Sequence, residues 1–222
     1  PGPRPRAGVA EIERLTGLVR LARPGAEVRL CWLELASPLL ADLLPVIDGP
    51  VVVMPLLLST GYHVKTDITG IVGNRPHTAV AAQLGPDPRI TGVVLQRLRE
   101  AGGVPAAGAV LFASGSSDPE AAENLAAAAG QLEQQAGCRI YPRFLTDERW
   151  GDGLPRGVGV ANYLLAPGYF NDRLRTLGSE LAPDRVAEPI GAHPAVAEVI
   201  WGRYDQAVRT LRPETPDPRA RP

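Results

Sequence analysis

The chain has 222 residues, 45% of them hydrophobic, and a formal net charge of −1. That length accommodates one large domain or two small ones with a real core. The near-neutral balance excludes a general electrostatic pull toward nucleic acid or an anionic membrane. No run approaches the ~20 apolar residues of a membrane span. No signal peptide is visible, so a cytoplasmic location is expected. The two cysteines, Cys31 and Cys138, make neither a disulfide framework nor a zinc motif, and read as reduced thiols in strands.

In chain order, Pro1–Arg6 is Pro/Arg-rich and irregular. A helix is predicted from Ala7 to Arg23, with Val9, Ile12, Leu15 and Val19 on one face, and Pro24-Gly25 ends it. Glu27–Leu35 reads as a strand. Ser37-Pro38 starts a short helix through Leu44. Val51–Leu58 is apolar without alternation, the pattern of a parallel strand covered on both faces. It stops at the turn signal Ser59-Thr60-Gly61 and then presents Tyr62, His63, Lys65 and Asp67 together.

Residues 68–79 read as loop plus a short strand or helix, and Val80–Leu84 as a weak strand. Asp87-Pro88 caps a helix that Gly102-Gly103 stops. Strands are predicted at 107–113, 138–145, 157–166 and 185–190, and helices at 119–136, 169–181 and 194–211. The Pro-rich residues after 213 read as a disordered tail. Strands alternating with helices predict an α/β fold with parallel sheets.

The chain also repeats itself. Leu56-Leu57-Leu58-Ser59-Thr60-Gly61-Tyr62-His63 matches Tyr163-Leu164-Leu165-Ala166-Pro167-Gly168-Tyr169-Phe170. Two similar α/β lobes are expected, 1–104 and 105–213, with 214–222 as the tail and a ligand-holding cleft between the lobes. The repeat is unequal at its turn. His63 stands in the first half and Phe170 in the second, so only the first offers a metal ligand or a base. Ligands bind just past the carboxyl ends of parallel strands, which is where His63 falls. A neutral imidazole can ligate a first-row metal and take up a proton near neutral pH. Glu34, at the end of the 27–35 segment, offers a second ligand or proton acceptor. His77 reads as a loop residue and His193 as a helix N-terminal residue.

Residues 55–64, Pro-Leu-Leu-Leu-Ser-Thr-Gly-Tyr-His-Val, resemble the strand-turn segment of the CbiX/SirB family of class II chelatases, which insert a metal ion into sirohydrochlorin. Leu33-Glu34-Leu35-Ala36-Ser37-Pro38 is similar to that family's Glu-containing segment. Residues 84–88, 113–119 and 164–170 also fit, so the likeness spans nearly the whole chain and is nearest to the long two-repeat form.

The resemblance implies His63 and Glu34 as metal-holding and catalytic residues, and Fe2+ or Co2+ as substrate with no organic cofactor. It implies a carboxylate-rich tetrapyrrole partner, contacted by Tyr62, Leu57, Met54, Lys65, Gly115 and Ser116, with Arg75 and Arg4 as further carboxylate-holding candidates. No nucleic-acid or membrane partner is implied, and a monomer or homodimer is expected. One departure stands out. The family's first lobe opens with an apolar strand ending in His-Gly-Ser/Thr-Arg. Here Pro1-Gly2-Pro3-Arg4 lies about where that loop would end, so the strand and its histidine are expected to be missing. That leaves two alternatives to catalysis on sirohydrochlorin: a non-catalytic tetrapyrrole- or metal-binding protein, or a chelatase-like enzyme for another small molecule.

Overall fold

The computed structural model describes residues 3–59, 62–116 and 118–211, and no side chain of 3–6 or 62–65. Thr60-Gly61 of the predicted turn, Ser117 and the predicted tail 214–222 lie outside the described residues, as do the side chains of Arg4, Tyr62, His63 and Lys65.

The described elements run α1 (Pro3–Ala22), α2 (Leu40–Leu43) with one 3-10 turn after it, β1 (Val51–Val53), α3 (Tyr62–Val72), β2 (Thr78–Val80), α4 (Pro88–Glu100), β3 (Ala109–Ala113), α5 (Pro119–Ala136), β4 (Ile140–Phe144), β5 (Gly159–Asn162), α6 (Tyr169–Leu181) and α7 (Pro194–Leu211). All strand pairings are parallel. One sheet has the order β1-β2, the other β4-β3-β5, extended by a single bridge between Val160 and Val186. This is the α/β architecture the alternation predicts.

Helix boundaries follow the local chemistry. Asp87 and Asp118 each accept the backbone N–H two residues on, at 3.0 Å, and a proline fills the first helical position of α4 and α5. Gly137 ends α5 in the left-handed conformation at φ 68°.

β3 is buried at all five positions and forms the middle of its sheet. α4 lies against β5 and α5, whereas α7 lies against α1, β1 and β2, so each half of the chain contributes a helix to the other's sheet. One core cluster accordingly joins Leu15 and Val19 of α1, Leu98 of α4, Leu111 of β3 and Trp201 of α7.

Several strand expectations change. The 27–35 segment is not a strand: it makes one bridge, Trp32 to Leu39, and Arg20 donates from Nε and Nη2 to the Val28 carbonyl at 3.0 and 2.8 Å. The reason is that a strand exists only through a neighbour's ladder, and among the described residues no strand pairs with it. The 51–58 run forms a strand only over Val51–Val53, with one further bond from the Leu84 N–H to the Leu57 carbonyl at 2.8 Å. The 80–84 strand is displaced to 78–80, and 185–190 keeps only its Val186 bridge. Residues 62–67, read as following a turn, and 68–72, in a stretch read as loop plus a short strand or helix, form helix α3. Cys31 and Cys138 are half-buried free thiols, each pushed up in pKa chiefly by burial.

Candidate metal and tetrapyrrole site

The carboxyl end of β1 runs on through Met54–Leu57, where the Leu57 carbonyl accepts the Leu84 N–H at 2.8 Å. Two undescribed residues after Ser59, α3 begins at Tyr62. His63 is therefore the second residue of α3, just past the carboxyl end of β1. It stands on a helix rather than in the turn expected from the sequence. Lys65 lies in the same first turn.

Glu34 is exposed, on a bend where Leu35 adopts a left-handed φ of 65° and is 97% exposed. Its carbonyl accepts the Ala36 N–H at 2.8 Å, which holds that bend.

Glu34 and Leu57 line one cavity of about 960 Å³. Its walls come from α1 (Leu15, Val19), the 28–33 segment, residues 51–57 and α7 (Trp201, Tyr204). The cavity lies inside the first half of the sheet architecture and beneath α7, and it is mainly apolar. Asp48, Pro50 and His77 mark its opposite end. Met54 lines it as well.

The remaining candidates separate from this cavity. Gly115 and Ser116 follow β3, outside it. Gly115 has φ 114°, and a Cβ there would meet the Thr146 side chain, so this glycine permits close packing of the loops after β3 and β4. The Ser116 Oγ accepts the Asp118 N–H at 3.1 Å, a local turn contact. Arg75 is committed elsewhere. It donates to the Thr78 hydroxyl at 2.6 Å and to the Ile47 carbonyl, at the amino end of β2. His77 is a loop residue with φ 54°, and its carbonyl accepts from Val51 at 2.9 Å. His193 is the expected helix-terminal residue: its Nδ1 accepts the Ala195 N–H at 3.1 Å, and burial, with the Arg97 charge, lowers its pKa. Among the described residues, no three His, Cys, Asp or Glu side chains converge on one point.

One contributor was not legible in sequence. The Tyr163 hydroxyl, at the carboxyl end of β5, donates to the Leu58 carbonyl at 3.5 Å, on the very segment that leads to His63. Burial, with the Asp87 charge nearby, raises this phenol and keeps it un-ionised. Its sequence signal was the repeat itself, since Tyr163 pairs with Leu56 there.

The CbiX family model matches residues 2–101, a span that includes Glu34, Leu57 and His63. A search of curated proteins finds no significant match. Among solved structures, SirB from Bacillus subtilis with Fe3+ aligns over 91% of this chain and 90% of its own, at 24% identity and a TM-score of 0.72. The sirohydrochlorin chelatase SirB from Bacillus subtilis subspecies spizizenii in complex with cobalt aligns over 90% of each chain, at 20% identity and 0.70. CbiX, described as the terminal enzyme of siroheme biosynthesis in denitrifying bacteria, aligns over 93% of this chain and 95% of its own, at 22% identity and 0.65. The CbiX family model thus matches the part of the chain that holds Glu34, Leu57 and His63, and over nearly all its length the chain shares the fold of SirB and CbiX.

Proposed function

We propose that the chain is a sirohydrochlorin chelatase, inserting Fe2+ or Co2+ as substrate into the tetrapyrrole without an organic cofactor. The observation that carries this reading is the placement of His63 in the first turn of α3, just past the carboxyl end of β1, within the span the CbiX model matches. Glu34 ends the neighbouring segment and lines the cavity that Leu57 also walls.

The roles follow from the chemistry. His63 delivers the metal and, once the metal has left, its imidazole accepts a pyrrole proton. Glu34 is the second ligand and takes the second proton. A low ligand count keeps coordination positions open for transfer, as a releasing site needs. Tyr62, Leu57 and Met54 contact the macrocycle, and Lys65 its carboxylates. Gly115 and Ser116 reach the substrate from the second half of the chain. Residues 1–104 and 105–213 act as two lobes around this substrate. Among the described residues no helix is long and apolar enough to cross a membrane, and the reaction is assigned to the cytosol, in a monomer or homodimer.

The alternative is that the chain binds tetrapyrrole or metal without turnover. Anaerobic incubation of the protein with sirohydrochlorin and Co2+ or Fe2+ separates the two. Catalysis gives an absorption change many times the enzyme concentration, at a rate proportional to enzyme. Binding alone stops at one equivalent.

A further inference from the structure

Leu35 is the most exposed large hydrophobic side chain among the described residues, at 97%, and its backbone stands in the left-handed region at φ 65°. Either feature alone is ordinary. A lone exposed leucine is common at protein surfaces, and a left-handed residue is common in turns when it is glycine or asparagine. Together they run against the preferences of the fold. A bulky apolar side chain gains nothing in water, and its Cβ disfavours this backbone conformation.

The surrounding chain holds the leucine there. The Glu34 carbonyl accepts the Ala36 N–H at 2.8 Å. A bond across three residues with a positive φ at the middle one is the geometry of the rare, strained γ-turn. The loop is also closed at its base. Trp32 donates to the Pro38 carbonyl at 3.0 Å, and Leu40 donates to the Trp32 carbonyl at 2.7 Å. Residues 33–37 therefore form a short pinned loop, with Leu35 at the middle of its tight turn and Glu34 one position before it.

The second half of the chain supplies an internal comparison. Counted from Gly25 and Gly137, which follow α1 and α5, Glu34 corresponds to Thr146 and Leu35 to Asp147. Asp147 is an ordinary turn residue, and its carboxylate accepts the Phe144 N–H at 3.1 Å. A polar residue thus suffices for the fold at this place. In the half that carries Glu34 and His63, the same place holds a leucine whose side chain lies almost wholly in solvent.

We infer that Leu35 is a substrate-contact residue: its side chain is an apolar rest for the face of the tetrapyrrole and sets where the macrocycle lies beside the Glu34 carboxylate. The inference rests on the chelatase reading above, in which Glu34 holds the metal. Passing a metal from Glu34 to the pyrrole nitrogens requires the macrocycle to lie against that carboxylate. The macrocycle is far wider than the ~3.8 Å between consecutive Cα atoms, so it covers the neighbouring side chain as well. Sirohydrochlorin carries its carboxylates at the rim, and its apolar face is what a leucine can cover. Binding then removes from water the surface that the free protein leaves exposed.

The full chain is compared with Leu35→Gly, Leu35→Asn and Leu35→Met. Glycine and asparagine tolerate the left-handed backbone, so the urea midpoints of both should match or exceed that of wild type. Binding of metal-free sirohydrochlorin is titrated by its absorption and fluorescence. Leu35→Gly and Leu35→Asn should weaken it at least about fivefold, as loss of part of one buried leucine side chain requires. Leu35→Met should keep it within about twofold of wild type. In Co2+ insertion the KM for sirohydrochlorin should rise in the same proportion, with kcat and the KM for Co2+ unchanged. The inference is overturned if the glycine and asparagine variants bind sirohydrochlorin as wild type does, or if Leu35→Met loses as much as Leu35→Asn. It is also overturned if both polar-turn variants are destabilised, which makes the leucine a structural residue, or if the KM for Co2+ rises instead, which makes the loop a support for Glu34 alone. Wild type that binds no sirohydrochlorin overturns this inference and the chelatase reading together. Wild type that binds it and inserts no metal overturns the chelatase reading alone, and the binding titration then decides on Leu35.

Discussion

The Tyr163 hydroxyl donates to the carbonyl of Leu58, a residue 105 positions earlier in the chain, at 3.5 Å. This bond joins the carboxyl end of β5 to the segment that carries the chain into α3 and His63. Gly85 sits against both partners: a Cβ there would meet the Tyr163 hydroxyl and the Leu58 carbonyl. Three backbone segments therefore meet behind the candidate site with no room for one more carbon.

Tyr163→Phe keeps the buried ring and removes the donor. The Leu58 carbonyl then lacks that partner, at a cost of about 0.5–1.5 kcal/mol. Chemical denaturation should show a midpoint shift of that size, and the metal-insertion rate should fall severalfold as the α3 entry loosens. An unchanged rate together with a lowered midpoint would confine Tyr163 to stability.

Gly85→Ala is the sharper perturbation, because backbone cannot give way as a flexible side chain does. Overpacking of this kind costs about 1–3 kcal/mol. A thermal melt should register that loss. Adding Tyr163→Phe should recover part of it, since the displaced hydroxyl is then gone, and the double-mutant cycle measures that coupling.

The helices were legible because their signals are local. Asp118-Pro119 and Gly137 mark both ends of α5, and 194–211 carries one apolar stripe; both elements appear with the predicted bounds. The first-half strands were not, because a strand is defined by its neighbour. Residues 27–35 have strand composition and no ladder. The helix holding His63 was only partly legible: Gly61-Tyr62 read as a turn and 68–79 stayed open between a short strand and a short helix, although the buried pair Ile68 and Val72, four residues apart, has the helical period. For the site, the sequence put His63 at a turn, whereas the structure has it in the first turn of α3, and the cavity lined by both Glu34 and Leu57 emerged only with the fold. Arg75, one of several candidates for holding carboxylates, has its guanidinium engaged by Thr78 and the Ile47 carbonyl at the amino end of β2.

Asp87 caps α4 while its carboxylate pairs with Arg89 at 2.9 Å and Arg203 at 3.5 Å. Burial acts to raise its pKa, and the Arg89 bonds with the Arg203 charge outweigh that and leave it lowered. A lowered folded-state pKa means stability that is present above the ordinary carboxylate value, ~3.9, and lost as pH falls through the folded value. Asp87→Ala should cost about 1–2 kcal/mol at neutral pH from the lost cap. The gap from wild type should narrow below about pH 4 in urea titrations.

His193 shows the corresponding behaviour for an imidazole. Burial, with Arg97, lowers its pKa against the opposing pull of Glu100 and Glu198. Folding therefore favours the neutral ring, whose Nδ1 accepts from Ala195. That stability is present above the ordinary histidine value, ~6.5, and lost as pH falls through the lowered folded value. His193→Asn retains an acceptor for the α7 N-terminus without a titrating ring. The variant's melting temperature should fall less than wild type's between pH 7 and pH 5.

The initial rate of Co2+ insertion into sirohydrochlorin tests the role of His63 most directly. Wild type, His63→Ala and Glu34→Gln are compared at equal, spectroscopically verified fold. Alanine is a good helix former and Glu34 is exposed, so neither variant should unfold the chain. His63→Ala should lose at least the ~10–100-fold that removal of a partner behind a metal ligand costs, and Glu34→Gln about tenfold with a raised KM for the metal. A His63→Ala protein that inserts cobalt at the wild-type rate would contradict the account.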